Sequence, residues 1–546
     1  MPLKKDLLEE LPMSDMFDQI GDLEHKKGLY NNMFYIVRLR RDVRDLVSKI
    51  RNKTVGDQFT SLEQHQALST LYHENWHWWQ YIGSTSGLIA SLSFPSQITT
   101  SITNLEKHLK LTGKVKPIVS YAEKKQSHKN DQSEEFKIIN KIINSTKNIH
   151  FYLKRVKRPS ETESFINDSY FRSIGLSYAA TYISTVRLIK TIFDKDSNFL
   201  PDTEKWVVEV NRLQKSNTKG FSIGEDILVP HIGTWQLYEG QARFNQLLYL
   251  HFASEKIMNW DDFKKVGMIE GEYYLAFQVF LDILGERRPD SIDSSLVALY
   301  LLLIDIAINP CEGFPFEINK HEDFVQQVDP GFRFENLCKA VRDAHPDFKY
   351  VIKEYSPKYY RLVSDALCKT IGYHTPTELS KKILLWLKDE KSVKKLFKEN
   401  IKFSYSKGNT LTRMVLGKFL SFQKDKAKNP EFFCWPGVYM LTLPYDKSRQ
   451  VLNERHFSLF REDSEGRISP SQIKKIHKDV ILKTSAIIYQ ELSFYEICRQ
   501  WILVKGKFNY RFEWINENMD IENVIFVTNA NFMGKFSVNL DGFSEN

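Results

Sequence analysis

The stretch LYHENWHWWQ, residues 71–80, places His73 and His77 four apart, with Glu74 directly after the first. On an α-helix, residues four apart differ by about 40° in direction and about 6 Å in rise, so both imidazoles can meet on one metal ion. Neutral imidazole suits Zn2+, which takes four ligands and keeps one position open for water in catalytic sites. Glu74 would stand beside such an ion rather than on it. There it can take the proton of the attacking water and pass it to a leaving amine. The same residues admit a plainer reading, an aromatic core helix that happens to carry two histidines. Trp76, Trp78 and Trp79 fit either view, walling a site off from water or packing into the core.

Two histidines leave the site short of a third protein ligand. Three Glu-Gly pairs follow His77: Glu239 in QLYEGQARFNQ, Glu270 in MIEGEYYLAF and Glu312 in NPCEGFPFE. Glu239, Ala242, Arg243 and Gln246 fall at i, i+3, i+4 and i+7, which makes one helical face. The small Ala242 lets that helix come close to the histidine helix. Glu270 has Tyr273 where Glu239 has the alanine, and Glu312 sits in a turn, so Glu239 is the preferred ligand. Amide hydrolysis builds negative charge on the carbonyl oxygen and needs a donor for it. His231, Tyr238, Arg243 and Tyr273 are the candidates, and Arg243 can alternatively hold a ligand or substrate carboxylate.

HENWH (73–77) and EGQA (239–242) together resemble the zincin superfamily of zinc metallopeptidases, and within it the glutamate-ligand branch, the gluzincins. The resemblance covers these two short stretches. It implies zinc on His73, His77 and Glu239, and Glu74 as catalytic base. It also implies an active-site helix packed against a second, glutamate-bearing helix, with a small sheet nearby.

The elements that must position these residues are partly legible. MFYIVRL (33–39) alternates and is rich in strand formers. A helix opens after GDQFT, with Thr60 and Glu63 as a capping box, and ends or kinks at GSTSG (83–87). Residues of about 105–165 turn polar and lysine-rich and read as an insertion carrying a solvated helix. Further helices fall over 169–193, 235–252, 273–284, 294–308 and 334–344. Past residue 372 a charged helix, TELSKKILLWLKDEKSVKKLFKEN, leads into WPGVYMLTLP, FNYRFEW and NVIFVTNANFMGKFSVNL, which read as strands. The fold class is therefore α+β and predominantly helical. A metallopeptidase-like domain spans 1–372, and a C-terminal α+β region (373–546) serves partner or substrate recognition.

The bulk properties narrow the class. Over 546 residues the formal charge is +8, with no compact basic block interleaved with aromatics, so nucleic acid is not the expected partner. The five cysteines are scattered and form no C-x-x-C pair, which suits a reducing compartment. The N-terminus has no apolar signal core, and the longest apolar run, LVALYLLLIDIAI (296–308), is too short for a membrane span and contains Asp305. The expectation is a soluble, cytoplasmic, zinc-dependent endopeptidase with a protein or peptide substrate. A free cytosolic protease must be restrained, so a regulatory protein partner and a stress or phage-defence role are attractive. Two rivals stand beside it. ENWH is also an E-x-x-H, as in di-iron bundles, but the chain holds no second one. The other is a non-enzymatic helical interaction protein in which HENWH is incidental.

Overall fold

The computed structural model describes residues 3–4, 28–31, 35–51, 61–126, 133–193, 197–222, 227–406, 408–442, 446–462, 468–471, 473, 475–512 and 520–545. It is predominantly helical with a small sheet. The histidines lie in the middle of Leu62–Gly83, the histidine helix, which is buried on nearly every side from Gln64 onward. A helix surrounded by protein must settle its polar side chains internally. The histidine helix does so in part: the Asn75 carboxamide oxygen accepts from the Ser458 amide at 2.8 Å, and Trp79 Nε1 donates to the His456 carbonyl at 2.7 Å, while Gln66 Nε2, Asn75 Nδ2 and Trp76 Nε1 find no hydrogen-bond partner among the described residues.

Its start is capped one residue later than the sequence suggests. Ser61 accepts from the Gln64 amide and Gln64 reciprocates, while Thr60 lies outside the described residues. The break at GSTSG is a restart. Ser84 Oγ donates to the Gln80 carbonyl at 2.6 Å and accepts from the Gly87 amide at 2.9 Å, so one hydroxyl closes one helix and opens the next, Thr85–Thr112. A Cβ on Gly87 would stand 2.1 Å from the Gln80 carbonyl oxygen, which is why only glycine fits there.

The glutamate helix, Thr234–Ala253, packs along the histidine helix, and Glu272–Leu284 packs against the glutamate helix. The lysine-rich segment read as a solvated insertion holds instead a core helix, Glu134–Lys157. Ile138, Ile139, Ile142, Ile143 and Ile149 are buried, and the helix packs against Thr85–Thr112 and Ile174–Lys190. Lys137 and Lys141 lie on its exposed face while Lys157 is buried, so the lysine-rich composition hid how deeply the isoleucine stripe packs.

The C-terminal segments depart furthest from expectation. NVIFVTNANFMGKF forms a helix, Ile521–Phe536, rather than a strand. In WPGVYMLTLP short helical turns span Pro436–Tyr439 and Met440–Thr442, and the described part of FNYRFEW has no strand. The charged helix divides at Glu390 into Pro376–Asp389 and Lys391–Lys402. C-terminal strands do occur elsewhere. The four-stranded sheet runs Gly28–Asn31, Ile36–Leu39, Phe460–Glu462, Ile468–Pro470, with its central pair parallel and in the register Ile36↔Phe460. Glu462 anchors that pairing through ion pairs to Arg38 and Arg44. An N-terminal hairpin and a pair of strands from the C-terminal region thus share one sheet, while Ser544–Glu545 pairs with Val115–Lys116 in a second.

The apolar run at 296–308 is a buried helix, Ser295–Ala307, and its Asp305 is paired. Lys426 Nζ lies 2.5 Å from Asp305 Oδ1 and the Tyr360 hydroxyl donates to Oδ2 at 2.6 Å, with both charged side chains 4 % exposed. Removing one partner of such a pair strands the other charge. Lys426→Met should therefore lower unfolding free energy by about 3–5 kcal/mol. Breaking the exposed Arg187–Glu204 pair should cost no more than about 1 kcal/mol. Chemical denaturation of both variants checks the contrast; equal losses would refute it.

Candidate metal centre

The histidine and glutamate helices are joined by a ladder of polar contacts. His65 Nδ1 meets the Tyr249 hydroxyl at 2.7 Å, and Gln246 Nε2 donates to Ser69 Oγ at 3.1 Å. His73 Nε2 lies 3.2 Å from Glu239 Oε2, and Gln80 Nε2 donates to the Tyr238 carbonyl at 2.9 Å. As numbers rise on one helix they fall on the other, so the pair is antiparallel. The face predicted for the glutamate helix is the one that meets the histidines, since both Glu239 and Gln246 reach across.

One rung gathers three donor atoms. His77 Nε2 is 3.0 Å from His73 Nε2 and 3.4 Å from Glu239 Oε2, closing a triangle with the 3.2 Å His73–Glu239 edge. Among the described residues, His73, His77 and Glu239 are the one group of three or more His, Cys, Asp or Glu side chains placed to hold an ion. The triangle can be compared with what zinc requires. A tetrahedral ion with bonds of about 2.0–2.1 Å holds its ligand atoms about 3.3 Å apart. Two imidazole nitrogens and one carboxylate oxygen at 3.0–3.4 Å fit that geometry and that donor chemistry. The second ring nitrogen of His77, Nδ1, is engaged by Gln80 Oε1 at 2.8 Å, the outer contact that metal-binding imidazoles usually make.

Burial and charge act in opposite directions on Glu239. Burial alone would push its carboxyl up, but the His77 and His73 imidazoles beside it hold it well below the usual carboxylate range. All three side chains are no more than 3 % exposed.

The remaining candidates divide. Glu74 is buried on the histidine helix directly after His73, and its carboxylate is not one of the three clustered ligands. Tyr273, half-buried, presents its ring edge-on to His73 with centroids 6.3 Å apart. The Arg243 guanidinium lies over that ring at 4.1 Å and donates to Gln246 Oε1 at 2.5 Å. Tyr238 is turned elsewhere, with its hydroxyl 3.5 Å from Ser84 Oγ and its ring edge-on to Tyr81. His231 is not brought to the site; its side chain is exposed and bonds Glu335 at 3.1 Å. Glu270 is exposed. Glu312 accepts from the Asn319 amide at 2.6 Å and from its side chain at 3.0 Å. The tryptophans pack in different directions: Trp78 on Tyr35, and Trp79 among Phe422, Phe432 and Phe433.

Sequence reasoning passed over Gln80, which touches both helices. Its signal was available, because three residues after His77 is the next position on the same helical face.

Comparisons with family models, with curated proteins and with solved structures gave no match. Among the described residues no helix is long and apolar enough to cross a membrane.

Proposed function

We propose that the chain is a zinc-dependent hydrolase that cleaves peptide bonds of a protein substrate in the cytoplasm. His73, His77 and Glu239 would hold the metal, and Glu74 would act as general base. The observation that carries this reading is the buried triangle of two imidazole nitrogens and a carboxylate oxygen with edges of 3.0–3.4 Å. A divalent ion bound there would polarise a carbonyl and make water more acidic. The chain's own residues supply the rest. The Glu74 carboxylate takes a proton from the attacking water and returns it to the leaving amine. Tyr273 stands beside His73 with the Arg243 guanidinium over its ring, and its hydroxyl would be the donor to the carbonyl oxygen. A regulatory protein partner, and a role as a restrained stress or phage-defence effector, fit a protease of this kind.

A second reading is favoured by the burial of all three ligands. A closed metal site can tie two helices together without catalysing anything, and the chain would then be an interaction protein. Elemental analysis of the purified protein, paired with hydrolysis of a dye-labelled unfolded protein, separates the readings. Hydrolysis with one zinc per chain supports the hydrolase, and zinc without hydrolysis supports the structural site. Two irons per chain, or no metal and no shift in Tm on chelation, would overturn both.

A further inference from the structure

We propose that Gln80 is a positioning residue of this centre. Its carboxamide fixes the His77 tautomer that turns a lone pair toward the metal, an inference that rests on the metal-binding reading above. The argument begins with what the carboxamide touches. Gln80 is 4 % exposed. Its nitrogen lies 2.9 Å from the Tyr238 carbonyl oxygen and 2.9 Å from Gln241 Oε1, and its oxygen lies 2.8 Å from His77 Nδ1.

A backbone carbonyl can only accept a hydrogen bond, so the side facing Tyr238 must be the NH2 group. Flipping the amide would set oxygen against oxygen there. The carboxamide oxygen is thereby committed to His77, and because it can only accept, Nδ1 must carry the proton. A neutral imidazole protonated at Nδ1 has its lone pair at Nε2. That atom is the one standing 3.0 Å from His73 Nε2 and 3.4 Å from Glu239 Oε2. The opposite tautomer would put a proton into the triangle and a lone pair against Gln80. The tautomer is thus determined by a carbonyl on the other helix, through one side chain.

The same contacts join the two ligand-bearing elements. Tyr238 and Gln241 flank Glu239, so Gln80 sets the glutamate helix against His77 as well as orienting the ring. Beyond it lies a cavity of about 30 Å³ lined by Gln80, Ser84, Gln241, Asn245, Asn309 and Lys426, among others. That is room for a water molecule. Truncation to alanine would let water take the place of the carboxamide, so the informative variants keep its volume.

The test uses the full chain, stripped of metal and titrated with Zn2+ against a chromophoric chelator. Gln80→Met removes the acceptor for His77, and Gln80→Glu keeps it. Gln80→Met only loses the bonds donated to Tyr238 and Gln241, whereas Gln80→Glu also sets an oxygen against them, so Gln80→Glu should fall further in Tm. Gln80→Met should bind zinc about 10–100-fold more weakly than the wild type, and Gln80→Glu should stay close to it. Unchanged affinity in Gln80→Met, or equal weakening in the two variants, overturns the assignment; the second result would make Gln80 a packing residue only. His77→Ala is titrated alongside. If it binds zinc like the wild type, or if the wild type binds none, the metal reading itself fails and this proposal fails with it.

Discussion

Glu74→Gln should leave zinc content and Tm at wild-type values while lowering kcat by about 10²–10⁴-fold, the range that a positioned general base contributes. The two side chains are nearly isosteric, and position 74 is 3 % exposed inside a well-packed helix, so the change tests chemistry rather than packing. A carboxamide oxygen accepts a hydrogen bond but does not take up a proton at neutral pH. Substrate can still bind, and the loss should fall on kcat rather than KM. The measurement is turnover of a dye-labelled unfolded protein by wild type and variant, with zinc per chain and Tm on the same preparations. Near-normal turnover in a zinc-loaded Glu74→Gln protein would remove Glu74 from the mechanism. A variant that loses its zinc as well would show that Glu74 supports the metal centre instead.

The legible parts of this site were those in which local spacing determines direction. His73 and His77 share a face because helical geometry makes i and i+4 neighbours. Glu239 was separable from Glu270 and Glu312 because only it begins a stripe that another helix can meet. His231 has no such argument behind it. It lies just before its helix, and the structure leaves its side chain exposed and bonded to Glu335. Gln80 was missed because a glutamine in an aromatic run reads as filler, whereas its role depends on what the partner helix presents opposite it.

The fold was less legible where composition and periodicity conflict. Residues 134–157 carry enough lysine to look solvated, yet the isoleucines between them recur at helical spacing, and it is the buried face that decides packing. The segment 521–536 has the β-branched and aromatic residues of a strand. Asp520 caps it as a helix by accepting from the Glu522 amide, and Phe532 and Phe536, one turn apart, bury against Trp501. Strand propensity is a weak preference that such contacts override. The pairing of Ile36–Leu39 with Phe460–Glu462 joins positions more than 400 apart. No local pattern encodes a partner at that distance.

The choice among the three glutamates gives the sharpest test of the centre. Glu239→Gln should reduce zinc from about one per chain to close to none after dialysis, because the centre would keep two neutral imidazoles and lose the anion that offsets the charge of Zn2+. The amide preserves volume, so the helix pair should remain folded and circular dichroism should be unchanged. Glu270→Gln alters an exposed side chain and should change neither zinc nor stability. Glu312→Gln weakens the bonds accepted from Asn319 and should lower Tm slightly, with zinc retained. The comparison is internally controlled, since all three variants make the same chemical change at an EG dipeptide and differ only in where the fold has placed it. Zinc lost from the Glu270 or Glu312 variant and kept by the Glu239 variant would move the third ligand to another site on the chain while leaving His73 and His77 in place. Zinc kept by all three would mean that two histidines and a ligand outside this triangle hold the ion, and the antiparallel helix pair would then be a scaffold for the site rather than its source.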